Sequence, residues 1–124
     1  MSQKYRYRVA PSDRIVWVDR LWLAFAKENG AQALTEEAVL GRSLWDFVAG
    51  EATRRLFSEL HRRVRSGHTP VLIPFRCDSP SLKRFMRLKI TEEENEAGAL
   101  CYESVLVRVE PQRYFNVLDS ERRH

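Results

Sequence analysis

Between Gly41 and Gly67 the chain runs Gly-Arg-Ser-Leu-Trp-Asp-Phe-Val-Ala-Gly and then Glu-Ala-Thr-Arg-Arg-Leu-Phe-Ser-Glu-Leu-His-Arg-Arg-Val-Arg-Ser-Gly. This reads as a short helix, a break at Gly50, and one longer helix. Ser43 is placed to cap the short helix, with Asp46 at capping-box spacing. In the longer helix Leu56, Phe57, Leu60 and Val64 fall within roughly 100° of arc at about 100° per residue. Arg54, Arg55, Arg62 and Arg65 take the other side of the wheel. An apolar stripe of that width must lie on something, and the remaining sequence is rich in β-favouring runs. The fold class is therefore α+β, a helical lid with a dry underside over a sheet.

The rest of the chain fits such a floor. At 124 residues it makes one domain with a single core. Residues 1–13 alternate aromatic and basic side chains up to Pro11 and are expected to form an N-terminal arm. Arg14-Ile-Val-Trp-Val18 reads as a strand that turns at Asp19-Arg20 into a second, Leu21–Phe25, with Trp17 and Trp22 in the core. Asn29-Gly30 marks a turn. Thr35 then caps a short helix carrying Glu36 and Glu37, which Gly41 closes. Val71–Cys77 is a strand, and Pro74 assigns it to an edge. Asp78–Ser81 is turn chemistry. Leu82, Arg84, Met86, Leu88 and Ile90 alternate with Lys83, Phe85, Arg87 and Lys89, so this strand has a basic outer face broken by Phe85 and an inner face broken by Arg84. An acidic loop, 91–98, leads into Ala99–Val109, the longest strand, with Val105, Val107 and Val109 on one side and Leu100, Tyr102 and Leu106 on the other. Residues 110–124 read as a tail with a short helical turn at 112–118.

This order of elements resembles a PAS domain over residues 14–109. Ile15-Val-Trp-Val-Asp19 with Trp22 and Phe25 is similar to that family's opening pair. Gly41-Arg-Ser-Leu-Trp-Asp-Phe-Val resembles the start of its central helices, and Val64-Arg-Ser-Gly67 the end of its long helix. The resemblance implies a five-stranded antiparallel sheet in the order 2-1-5-4-3, with short helices and one longer helix on one face. In that order Cys77 and Cys101 are separated by an intervening strand, on the order of 10 Å apart and beyond disulfide reach, so two free thiols are expected. The family is one of sensors and interaction modules whose pocket holds haem, flavin, a small metabolite, or nothing.

Each option demands particular residues. Covalent flavin chemistry needs a cysteine where this chain has Ser43-Leu-Trp-Asp-Phe, and the residues around Cys77 do not match the family's other chromophore-bearing cysteine. Haem would need a histidine on the long helix, and His61 is there, although the wheel puts it at the margin of the apolar stripe. No metal-ligand spacing, phosphate loop or nucleophile elbow is present, and Asp46, Glu51 and Glu59 read as a cap, a helix-dipole partner and an ion-pair partner of Arg55; an enzyme is not expected. Arg84, and more weakly Arg76, are candidate contacts for an anionic ligand, and Trp45, Phe47, Leu56, Phe57, Leu60 and Met86 are the expected pocket lining. The partner surface is expected on the outer sheet, at Phe85, Leu100, Tyr102 and Leu106, covered by the arm or by a second copy in a homodimer. The preferred reading is a non-catalytic signalling module that binds a small ligand, a signalling protein, or both. The alternative is a nucleic-acid-binding domain using Arg54, Arg55, Arg62, Arg65, Lys83, Arg87 and Lys89, which the net charge of +4 permits without demanding. A sequence with no apolar run of about 18 residues and no signal-peptide core at Met1-Ser-Gln-Lys is expected in the cytoplasm, where two cysteines stay reduced.

Overall fold

The structure, a computed structural model, describes residues 4–28, 34–78 and 81–112. Its strands are β1 (Lys4–Val9), β2 (Ile15–Val18), β3 (Val71–Asp78), β4 (Leu82–Glu92) and β5 (Leu100–Pro111). Its helices are α1 (Arg20–Glu28), α2 (Glu36–Val39), a single 3-10 turn at Leu44–Phe47, and α3 (Glu51–Gly67). The strands form one antiparallel sheet in the order β2-β1-β5-β4-β3. That is the expected order. The expected Asn29-Gly30 turn and residues 113–124 of the expected 110–124 tail lie outside the described residues, as do Ser79 and Pro80, while Glu110 and Pro111 from the start of that tail belong to β5.

Three N-terminal expectations are corrected. The stretch read as an arm supplies β1, which pairs with β2 on one side and β5 on the other. Its alternation explains why: Tyr5 and Val9 are buried and Tyr7 half-buried on the inner face, while Lys4, Arg6 and Arg8 point outward. Leu21–Phe25, read as a strand, belongs to α1. The Asp19 carboxylate accepts a hydrogen bond from the Leu21 N–H, and Trp22, Phe25 and Ala26 keep helical spacing, with Trp22 edge-on to Tyr7 and Phe25 against Tyr5. Trp17 is outside the core; it lies on the outer face with the Arg8 guanidinium 4.9 Å above its ring.

The later strands follow their sequence pattern. β3 is an edge strand with Pro74 in it. Met86, Leu88 and Ile90 are buried under the helices. β5 lies at the centre of the sheet, and a bulge opposite Phe85–Met86 leaves Val107 as the extra residue. Helix caps were also legible: the Thr35 hydroxyl accepts from the Ala38 N–H and the Ser43 hydroxyl from the Trp45 N–H. Asp46 does not complete a capping box, because Arg42 takes its carboxylate. Gly50, at φ 88°, makes the break that re-aims the chain into α3, a backbone conformation open to glycine at little cost.

α3 packs on the sheet through Phe57, Leu60, His61 and Val64. This stripe is rotated by roughly 40° from the expected one: Leu56 is 52% exposed and His61 is 2% exposed. Burying a side chain like Val64 contributes about 2 kcal/mol. Burying an imidazole costs free energy unless both nitrogens find partners, and what provides those partners is the centre of the molecule. No helix among the described residues is long and apolar enough to cross a membrane.

Candidate functional site

Asp13 sits in the turn between β1 and β2 at φ 66°, a left-handed conformation that Asp tolerates better than most residues. Its backbone is held on both sides, its N–H donating to Ala10 and its carbonyl accepting from Leu44. This geometry turns the carboxylate inward beneath α3. One oxygen accepts from the Arg65 guanidinium at 2.6 Å and from His61 Nδ1 at 3.0 Å; the other accepts from the Trp45 indole at 3.1 Å. His61 thus donates from Nδ1, and its Nε2 accepts from the Tyr102 hydroxyl on β5. Arg65 also donates to the Gly98 carbonyl at 2.8 Å, where the loop between β4 and β5 adopts φ 88° against Pro11.

The network joins five segments through one carboxylate. Burial works against the Asp13 charge, but the Arg65 hydrogen bond, the His61 ring and the Trp45 indole together hold its pKa below the usual carboxylate range. Burial pushes the His61 pKa down, with the Arg65 cation assisting and Asp13 opposing. Burial first, and the Asp13 charge second, push the Tyr102 phenol well up. The resting state is therefore a carboxylate, a neutral imidazole and a neutral phenol.

Beside the network lies an apolar cavity of about 230 Å³, bounded by β1, β2, α1, α2 and the 3-10 turn. Tyr7, Val18, Trp22, Val39, Phe47 and Val48 are among its lining residues. Its polar atoms are few. Burial, and then the neighbouring Tyr102, keep the Tyr7 phenol neutral far above the usual range, so it can donate a hydrogen bond. Tyr7 stacks on Tyr102 with ring centroids 4.6 Å apart. One aromatic stack thus connects the cavity wall to His61 and α3.

The expected site residues disperse around this centre. Phe47 lines the cavity. Trp45 packs on His61 and donates to Asp13. Phe57 and Leu60 pack on the core, Met86 is buried in the sheet, and Leu56 faces outward. His61 is corrected as a haem ligand: both nitrogens are engaged and the ring is buried, so neither is open to an iron. Arg84 lies on the inner face with its guanidinium 5.8 Å from the Phe25 ring centroid, away from the cavity lining. Arg76 is on the outer face, paired with Asp78, so it does not reach the pocket.

The expected partner surface is corrected too. Leu100 and Tyr102 are 0% and 2% exposed, and Leu106 pairs with buried Met86 on that inner side. Only Phe85 faces outward. The sequence showed two apolar faces on β5, and the helices cover the one carrying Leu100 and Tyr102. The helix arginines are engaged as well: Arg54 donates to the Val48 and Trp45 carbonyls, Arg55 pairs with Glu51, Arg62 and Arg63 with Glu59, and Arg65 points inward. Glu59 is thus not the partner of Arg55. Cys77 and Cys101 are free thiols on opposite faces of the sheet, both pushed up by burial. Among the described residues no cluster of His, Cys, Asp and Glu is arranged to hold a metal.

No protein-family model and no characterised protein matches the sequence. Solved structures do match the fold. A sensory box sensor histidine kinase from Vibrio cholerae superposes with TM-score 0.59 at 10% identity, covering 87% of this chain and 84% of its own. The fold is that of a PAS domain. The PAS domain of histidine kinase ThkA agrees, with TM-score 0.54 at 14% identity over 87% of this chain and 100% of that one. So does a domain of an HTR-like protein from Haloarcula marismortui, with TM-score 0.51 at 11% identity over 85% and 98%.

Sequence reasoning missed Asp13, Tyr7 and most of the cavity lining. A helical-wheel angle cannot find a carboxylate that arrives from 48 residues away. A signal did exist: Asp13 follows Pro11-Ser12 in a turn, the setting in which an aspartate adopts positive φ.

Proposed function

We propose that this PAS domain is a non-catalytic sensor that takes a small, neutral, largely apolar molecule in the cavity beside Tyr7 and passes its occupancy to α3. The observation that carries this reading is the cavity itself. Among its lining side chains only Tyr7 and Trp22 carry a polar group, and Tyr7 ties it to the Tyr7–Tyr102–His61 stack. Its volume is below the 300–1,000 Å³ of pockets for drug-sized ligands, which favours a ligand of few heavy atoms with at most one acceptor for the Tyr7 hydroxyl. A ligand pressing on Tyr7 acts on Tyr102, and through its hydroxyl on the ring that anchors α3. Output then leaves by a surface contact with a signalling partner.

Titration with indole, followed by amide and side-chain NMR shifts, tests the cavity. Shifts are expected at Tyr7, Trp22 and Val39, extending to His61. They should disappear in Val39→Phe and, separately, in Val48→Trp, each checked for wild-type circular dichroism. Absence of localised shifts in the wild type, or equal binding by folded variants with the space filled, overturns the reading.

A further inference from the structure

The outer face of the sheet is laid out in ranks across β3, β4 and β5. Asp78, Lys83 and Glu110 form one rank, Arg76, Phe85 and Arg108 the next, Pro74, Arg87 and Val105 a third, and Leu72, Lys89 and Glu103 a fourth. The carboxylates of this face are already engaged: Asp78 by Arg76, Glu110 by Arg108, and Glu103 by Lys4 and Arg6. The Arg87 and Lys89 side chains are exposed and enter no ion pair or hydrogen bond among the described residues. Beside them the β5 bulge presents Val107, 51% exposed, at a hollow of about 520 Å³ shared with Pro74, Phe85 and Arg87. Leu72, 61% exposed, extends the apolar ground.

We propose that this face docks an acidic polypeptide segment bearing an apolar side chain, its carboxylates meeting Arg87 and Lys89 and its side chain entering the hollow at Val107. The inference rests on the reading of the domain as a module whose output is a contact, and it names the chemistry of the partner. Charge selects this occupant over a second copy: a two-fold contact apposes the same patch on both chains, setting unpaired cations against unpaired cations, and juxtaposed like charges are strongly disfavoured. Aromatic geometry selects it over a nucleic acid. Single-strand platforms stack bases on bare rings, whereas Phe85 lies under Arg108 at 3.9 Å and Trp17 under Arg8 at 4.9 Å. An acidic segment needs no bare ring.

The test is fluorescence anisotropy with a labelled Glu-rich peptide carrying Leu and Phe among the acids, beside poly-glutamate of equal length and oligothymidine. The peptide should bind more tightly than poly-glutamate and weaken as salt screens the contact. Arg87→Glu with Lys89→Glu should cost about tenfold or more. Val107→Asp should remove the preference over poly-glutamate, and Arg55→Glu with Arg63→Glu on the exposed side of α3 should change little. The proposal is overturned if the peptide does not bind or if the helix reversal weakens it as much. It is equally overturned if oligothymidine binds more tightly than the peptide, or if the wild type sediments as a dimer that the Arg87 and Lys89 reversals split. Failure here is separable from failure of the cavity reading, because the surface variants should keep the indole shifts and the variants with filled cavities should keep peptide binding.

Discussion

Helix α3 carries two clusters of arginine and carboxylate, one on each side, and they differ in almost everything except composition. On the outside, Glu59 accepts from Arg62 and Arg63, neighbours on the same helix, with side-chain exposures of 65% for Arg62 and 43% for Glu59. On the inside, Asp13 accepts from Arg65, His61 and Trp45, with exposures of 25% for Arg65 and 15% for Asp13. The hydrogen bond from Arg62 holds the Glu59 carboxyl down at about 2, yet water surrounds that pair and screens it, and exposed ion pairs contribute little to stability. The inner carboxylate contributes differently. It is the common acceptor for groups from α3 and the 3-10 turn, and through His61 it fixes Tyr102 on the central strand. Identical chemistry is local decoration in one place and the tie between helix and sheet in the other.

The largest test of that contrast is Asp13→Ala. It leaves the Arg65 cation, the His61 N–H and the Trp45 N–H without their acceptor in a shielded site, and should lower the unfolding free energy by about 3 kcal/mol. Urea denaturation checks it. A loss no larger than that of an average surface substitution would mean that water replaces Asp13 without cost, and the inner cluster would then rank with the outer one.

A pH titration of stability is next in size. The folded state keeps His61 neutral because burial lowers its pKa, whereas the unfolded chain binds a proton near pH 6.5. Stability should therefore fall as pH drops through about 6.5, and keep falling until the folded ring also protonates. Asp13, whose folded pKa is lowered, adds a loss of the same sign at lower pH. His61→Gln should flatten the first part of this slope. An unchanged slope between pH 7 and 5.5 would show that His61 is not the group that titrates.

The smallest expected effect belongs to Glu59→Gln, which should leave the urea midpoint unchanged at moderate salt. A clear loss there would erase the contrast from the other side.

Much of the fold was legible because it is written locally. The alternation of Leu82–Ile90 assigned Met86, Leu88 and Ile90 to the core, Pro74 marked an edge, and Thr35 and Ser43 announced caps. Each of these rests on residues within a few positions of one another. The N-terminus was misread where local signals conflict: Leu21–Phe25 is an apolar run that suits strand or helix, and the Asp19 cap decides for helix. Lys4–Val9 carries the alternation of a strand, but its place in the sheet depends on β5 and β2, which pair with it from elsewhere in the chain. The site was harder still. From its own neighbours His61 is a polar residue at the edge of a stripe, and Arg65 is one of several outward arginines. Both turn inward because Asp13 meets them there.

The sequence by itself determined that a basic, amphipathic helix would cover a sheet, since helical and strand periodicities are properties of adjacent residues. Only the tertiary structure decided which apolar face of β5 lies under the helices, which polar groups of α3 are buried, and where space remains beside Tyr7. Burying a polar side chain is tolerable only when its partners are in place, and here those partners come from turns and strands distant in the chain.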